Sequence, residues 1–480
     1  MKFRYKSKVR HLKRSVRWLR AKIGRINAPA DMTVGPPWKG ILTFTLPMLL
    51  GNIAQQLYNT VDSIVVGKYV GDNALAAVGS CGPILNMLLV LFIGISTGAG
   101  VMVSQYFGAK NRESLSLTIG NCITATVIAC VGLVLVAMPF IRPLLILLNT
   151  PDTILEWCVD YLSISLWGIA GVAFYNILGG ILRGMGDSFS TLLFLLLATV
   201  INIVLDVLFV AVFHMEVAGV ALATIIAQMI SVLLCFIKLT RMRQHFDFGL
   251  AYMRPRARYI KTLIRLGIPS GLTQAIFSSA MILVQSLTNQ FGEQFIAANV
   301  VIMRVDGFAM MPNFSFGTAM TTYAGQNVGA GKYDRVIKGA RQGLLMAVGC
   351  STAITVLILL FGKYLMQLFT DTADLVALSY RLMMILAVGY VAMAVTQSLS
   401  GIMRGAGDTM TPMWISLITT VAIRVPVAYG IAWVTSGFGD PADGMKECIQ
   451  ISLLCSWCMG AVLTAIFYKL GHWKKKRIRQ

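Results

Sequence analysis

Charge is scarce in this sequence, and acid is the scarcer sign. Only 13% of the 480 residues are charged, about half the share found in soluble domains. Histidine is nearly absent. His11, His214, His245 and His472 all fall near the ends of apolar blocks or in loops, not in the cluster that an intramembrane enzyme would need. The nine cysteines are mostly scattered through apolar blocks, as core residues would be, with no disulfide framework. Cys455 and Cys458 form a C-x-x-C, but no second ligand pair accompanies it, so no structural metal is expected there. No apolar run precedes Ile41, so a cleavable signal peptide is not expected in the first 39 residues.

Long apolar runs are what the chain has instead. Hydrophobic residues make up 56% of it and the mean hydropathy is +0.73. The runs lie near 41–66, 75–107, 115–140, 154–180, 190–213, 217–239, 262–290, 296–327, 336–361, 375–402, 411–435 and 447–470. Each is long enough to cross about 30 Å of hydrocarbon. They are continuous, not alternating, which predicts helices and excludes a barrel. The fold class is therefore an all-α polytopic membrane protein with twelve transmembrane helices. The net charge of +21 sits in loops and ends: the first 39 residues, Arg241–Lys261, Gly331–Arg341 and Lys474–Arg479. That is the positive-inside pattern, with both termini in the cytoplasm, and no nucleic-acid partner is expected. Within the first 39 residues, Val9, Leu12, Val16, Leu19, Ile23 and Ile26 recur at helical spacing among bases. This segment is either an amphipathic helix lying on anionic lipid or a basic tail that only fixes topology.

The second half restates the first. G-I-L-R-G-M-G-D from Gly180 returns as G-I-M-R-G-A-G-D from Gly401; Gln105 returns as Gln326 and Gly71 as Gly292, each 221 residues on. Six spans per repeat give both halves the same orientation, so a pseudo-twofold axis along the membrane normal should relate two six-helix lobes. The expected units are a basic extension 1–39, a first lobe 40–240, a basic linker 241–261, a second lobe 262–470 and a basic tail 471–480. Two like-oriented bundles around a cleft suit an alternating-access carrier. The repeated R-G-x-G-D stretch follows a helix and lacks a Lys-Ser/Thr, so it reads as a tight turn with its Arg and Asp paired, not as a phosphate loop.

The halves differ in their buried polar residues. On the first span, Asn52, Gln55, Asn59 and Asp62 share a helical face. A spanning acid costs about 2.5–3.5 kcal/mol on insertion scales and normally faces the protein interior. The fifth span carries Asn202 and Asp206, one turn apart; the sixth carries Thr224 and Gln228; the fourth carries Tyr175 and Asn176. The offset of 221 puts Leu283, Ile423 and Val427 where Asp62, Asn202 and Asp206 stand. If these spans form one bundle, Asp62, Asn176, Asn202, Asp206 and Thr224 can surround one point. Two carboxylates close together in low dielectric require a proton or a small hard cation, H⁺ or Na⁺. The alternative is that Asn202 and Asp206 only hydrogen-bond a neighbouring helix. Gln55, Tyr58, Asn59, Tyr175 and Gln228 are candidates to line the substrate path. In the second half, Asp306 and Arg424 are expected to form a structural ion pair.

With these residues in view, the chain resembles the multidrug and toxic compound extrusion (MATE) transporters from about Trp38 to Leu470. The resemblance rests on the opening Pro47…Asn59-x-x-Asp62 helix, the Gly-Ala segments at Gly108 and Gly329, and the repeated turn. It is similar to the DinF-like branch, which places an acid in the first span, Asn-x-x-x-Asp in the fifth and Thr in the sixth. The resemblance implies that Asp62, Asn202, Asp206 and Thr224 bind the coupling ion, and that Gln55, Tyr58 and Asn176 lie near the drug. Other branches carry acids in the seventh and tenth spans; here the seventh has only Gln274 and Gln285. The expectation is an H⁺- or Na⁺-coupled antiporter in the cell (inner) membrane. It would act as a monomer among membrane lipids, without a cofactor, and export small amphipathic, often cationic compounds. No Walker loop is present, so an ion gradient is the expected energy source. A lipid-linked oligosaccharide flippase of the same superfamily and an intramembrane enzyme are the alternatives.

Overall fold

The computed structural model describes residues 30–478 except 71, 149 and 441–443, and the side chains of 59, 61–67 and 72–76 also lie outside the described residues. The proposed amphipathic helix near the start of the chain, and the side chains of Asn59 and Asp62, fall among the residues left out.

The first helix, Pro37–Tyr69, begins where the sequence supplies two prolines. Pro37 occupies the first helical position, where a missing N–H costs nothing. The remaining spans are Asp72–Gly108, Arg112–Leu147, Asp152–Gly184, Ser188–Val212, Glu216–Arg241, Ala257–Gln290, Glu293–Gly329, Tyr333–Gln367, Ala373–Gly405, Met410–Thr435 and Cys448–Leu470. These twelve form two lobes of six. The fourth and tenth spans are each broken, with bends of 46° and 43° at Gly168 and Val388. The fifth and eleventh each contain one π-helical stretch, Val207–Val212 and Ile418–Ile423. Neither feature follows from hydropathy, because an apolar run reads the same straight or bent.

The lobes meet along two crossings. The second span passes the seventh at Gly94 and Gly267, where backbones touch. The related crossing of the first and eighth spans is polar: Asn52 Nδ2 donates to Ser315 Oγ (3.0 Å). At the face where Met32 and Ile478 lie, two glutamines tie the lobes together. Gln105 Nε2 donates to the Gly405 carbonyl (2.9 Å) and Gln105 Oε1 accepts from Ile478 N–H (3.0 Å). Gln326 Nε2 donates to the Gly184 carbonyl (3.1 Å) and its Oε1 accepts from Met32 N–H (2.9 Å). These are the same contacts repeated by the pseudo-twofold. The N-terminal segment is held further by Asn327, Lys332 and Arg335, which donate to the carbonyls of Met32, Thr33 and Val34. Arg477 donates to the Gly329 carbonyl from the other end of the chain (2.8 Å).

The repeated turn follows a different logic from the Arg–Asp pairing expected of it. Asp187 caps the fifth span, accepting from Ser190 N–H (2.9 Å) and Ser190 Oγ (2.8 Å), and pairs with Lys238 Nζ at 3.0 Å. Asp408 accepts from Thr411 Oγ1 (2.8 Å) in the same way. Capping places each carboxylate at the start of the next helix, which leaves Arg183 and Arg404 to face elsewhere. The segment between the lobes is also seated. Arg112 forks onto Asp247 (Nε–Oδ2 2.9 Å, Nη2–Oδ1 2.6 Å), and Asn121 Oδ1 accepts from Arg256 N–H (2.7 Å). The Arg112 guanidinium holds the Asp247 carboxyl below its ordinary range.

Gly108 and Gly329 lie where the two lobes touch at this face. A Cβ on Gly108 would collide with the backbone of Gln326, and one on Gly329 with the backbone of Gln105. Gly108→Ala and Gly329→Ala should therefore each cost about 1–3 kcal/mol, the usual range for overpacking. Gly349→Ala, which meets nothing within 4 Å, should not lower stability. Thermal midpoints of the three variants in one detergent check this.

Candidate functional site

The polar cluster of the first lobe is built on the fifth span. Asn202 and Asp206 sit one turn apart and are both fully buried. Asp206 is the last residue before the π-helical stretch. Such stretches interrupt regular hydrogen bonding and often mark functional positions. Thr224, on the sixth span, joins three helices. Its Oγ1 accepts from Tyr58 Oη (3.2 Å) and from Asn202 Nδ2 (3.5 Å). The first span, which carries Asp62, therefore meets the fifth and sixth here; the Asp62 and Asn59 side chains themselves lie outside the described residues. Gln228, one turn beyond Thr224, is also buried. The Asn202 Oδ1 and Gln228 Oε1 atoms have no hydrogen-bond partner among the described residues. A buried acceptor left unsatisfied costs about 1–3 kcal/mol, so such oxygens call for a donor or a cation.

Asn176 is not part of this cluster. Its Nδ2 turns back to the Val172 carbonyl on its own helix (2.9 Å). It lines a side cavity of about 180 Å³ with Gln55, Tyr175 and Arg183. The sequence grouped Asn176 with the ion ligands and Tyr58 with the substrate path; the structure places Tyr58 against Thr224 and Asn176 on this side cavity. Gln55 and Tyr175 do line a cavity.

That side cavity opens into the cleft between the lobes, sharing Met48, Asn52, Asn176 and Arg183 with it. The cleft holds about 400 Å³ and is lined by Arg183 and Arg404, the arginines of the two repeated turns, and by no Asp or Glu among the described residues. Sequence reasoning missed this pair. The available signal was the repetition of the arginine at the last turn of a spanning helix in both halves.

In the second lobe, Asp306 and Arg424 line one cavity of about 290 Å³. Among the described residues no ion pair joins them, so the direct pairing expected from sequence is absent. They lie on the eighth and eleventh spans, with the cavity open between those helices. Arg424 immediately follows the second π-helical stretch.

Comparison with known proteins gives a consistent result. The MatE family model matches residues 47–208 and again 269–430. The probable multidrug resistance protein YpnP of Bacillus subtilis (strain 168) is 31% identical over 453 residues, covering 93% of this chain and 98% of that protein. The probable multidrug resistance protein YoeA of the same organism is 29% identical over 405 residues, covering 83% and 88%. Among solved structures, the outward-facing conformation of a multidrug resistance MATE family transporter of the MOP superfamily superposes with a TM-score of 0.84 at 24% identity, covering 92% of this chain and 97% of that one.

Thr224→Val removes the oxygen that accepts from both Tyr58 and Asn202. It should lower stability by about 1–3 kcal/mol, while Thr224→Ser should restore it. Thermal unfolding of the two purified variants against the parent checks this.

Proposed function

This chain belongs to the MatE family of multidrug efflux transporters, and from that premise we propose that it is an ion-coupled antiporter working by alternating access. The coupling ion is H⁺ or Na⁺, and Asp62, Asn202, Asp206 and Thr224 hold it. The observation that carries this reading is that Thr224 Oγ1 joins Tyr58 to the fully buried Asn202 in the first lobe, with the fully buried Asp206 one turn further along the same helix beside a π-helical stretch. The second lobe has Ile423 and Val427 where Asn202 and Asp206 stand. Ion occupancy neutralises the buried carboxylates and favours one arrangement of the first lobe; ion loss favours the other.

The substrates are small amphipathic organic compounds. Cationic ones are expected to bind toward the acids of the first lobe, because the cleft wall presents Arg183 and Arg404. The face where Met32 and Ile478 lie is the cytoplasmic one, as the distribution of Lys and Arg argues. One charge crossing the membrane yields about 2.3 kcal/mol per 100 mV, enough for a roughly fiftyfold gradient at about 1.4 kcal/mol per tenfold.

The test is dye transport into proteoliposomes, driven in turn by a pH gradient and by a Na⁺ gradient. One gradient should support uphill transport by the parent protein. Asp206→Asn and Asp62→Asn should each reduce that transport at least a hundredfold while the protein remains folded. Uphill transport retained in Asp206→Asn would overturn the proposed coupling site.

A further inference from the structure

The second-lobe cavity contains more polar capacity than the coupling reading uses. Four of its lining residues each present a buried polar atom with no hydrogen-bond partner among the described residues: Asp306 Oδ1, Thr420 Oγ1, Arg424 Nε and Gln450 Oε1. Buried polar groups in folded proteins are nearly always satisfied, so four on one cavity is unusual. Gln450 is oriented by its own amide, which donates to Asn299 Oδ1 (3.2 Å) and turns Oε1 away. Arg424 is only 8% exposed. Its side chain makes no hydrogen bond and no ion pair among the described residues, although Asp306 lies within range of its charge. The Tyr390 hydroxyl also neighbours Asp306.

Water could satisfy Thr420 and Gln450. It is a poor substitute for a counter-ion at a guanidinium inside a membrane protein, where an unpaired charge is costly. The chain places the opposite charges on one cavity without letting them touch. A purely cationic guest would meet Arg424, and a purely anionic guest would meet Asp306. A single guest carrying both charges satisfies both. Beside Gln274, Gln285, Thr288, Asn299 and Ser456, much of the wall is apolar and adaptable, with Phe277, Met281, Met303, Met310, Met393 and Trp457. A volume of about 290 Å³ is at the lower end for ligand cavities. It would take a headgroup and part of an apolar body. The cavity shares Gln274, Phe277 and Phe314 with the cleft between the lobes, which gives a route in.

We propose that this cavity binds a zwitterionic amphiphile, with the anionic group on Arg424, the ammonium group toward Asp306 and Gln450, and the apolar part among the methionines. The site is distinct from the ion cluster of the first lobe and does not depend on which ion drives transport.

Three dansyl compounds of matched length test this by equilibrium fluorescence titration of the purified full chain in dodecyl maltoside. Nε-dansyl-lysine carries both charges, dansylcadaverine only the ammonium, and 6-(dansylamino)hexanoate only the carboxylate. The parent protein should bind dansyl-lysine at least tenfold more tightly than either of the others. Arg424→Gln should remove that preference, and Asp306→Asn should shift it toward the hexanoate. Arg424→Lys, which keeps the charge, should retain part of it and carries the test if Arg424→Gln does not fold. Equal binding of all three by the parent protein, or a preference unchanged in both Arg424→Gln and Asp306→Asn, would overturn the assignment and leave a water-filled structural cavity.

Discussion

Two glutamine side chains set the relation between the lobes. Gln105 and Gln326 each reach across the interface, donate to a backbone carbonyl at the end of a broken span in the opposite lobe, and accept from a segment near one end of the chain. Each bond is neutral and contributes about 0.5–1.5 kcal/mol net. A closure made of such bonds, with glycine backbones in contact beside them, is firm enough to define one arrangement. It is also weak enough to be exchanged for another. Charged bridges at the same place would cost more to break, and an apolar seam would give no register. Met32 and Ile478 thereby become part of the closure, in equivalent places on the two glutamines.

Duplication explains why the scaffold is symmetric, and divergence explains why the sites are not. Both lobes keep the bent fourth or tenth span, the capped turn and the π-helical stretch. Those features depend on backbone geometry and on glycine, which a duplicated sequence carries along. Buried ionisable groups are costly, so a copy retains one only where something offsets the cost. Asp206 sits beside the π-helical stretch of the first lobe and Arg424 beside that of the second, yet the two residues do not correspond under the repeat. Each lobe has placed a different charge at a similar irregularity.

Much of this was legible in the sequence. Twelve runs of sufficient length and a constant offset between halves lead to two six-helix lobes. The helical spacings of Asn202 with Asp206 and of Thr224 with Gln228 put each pair on one face of its span, because residues one turn apart share a face whatever surrounds them. Asn176 did not carry through. Spacing gives the angle around a helix and says nothing about which partner a side chain takes, and its amide turned to its own backbone. The Arg–Asp pairing assigned to the repeated turn failed for a related reason: the carboxylates had a nearer use as helix caps.

The sequence by itself settled membership in a class: hydrophobicity and repeat spacing are sums over many residues, and no single contact alters them. Tertiary structure decided which charges face which space. Arg183 and Arg404 line the cleft, and Asp306 and Arg424 share a cavity without touching. Those outcomes turn on a few ångströms of helix rotation and on bends that composition does not encode, and electrostatic energy is sensitive to such distances where hydrophobic burial is not.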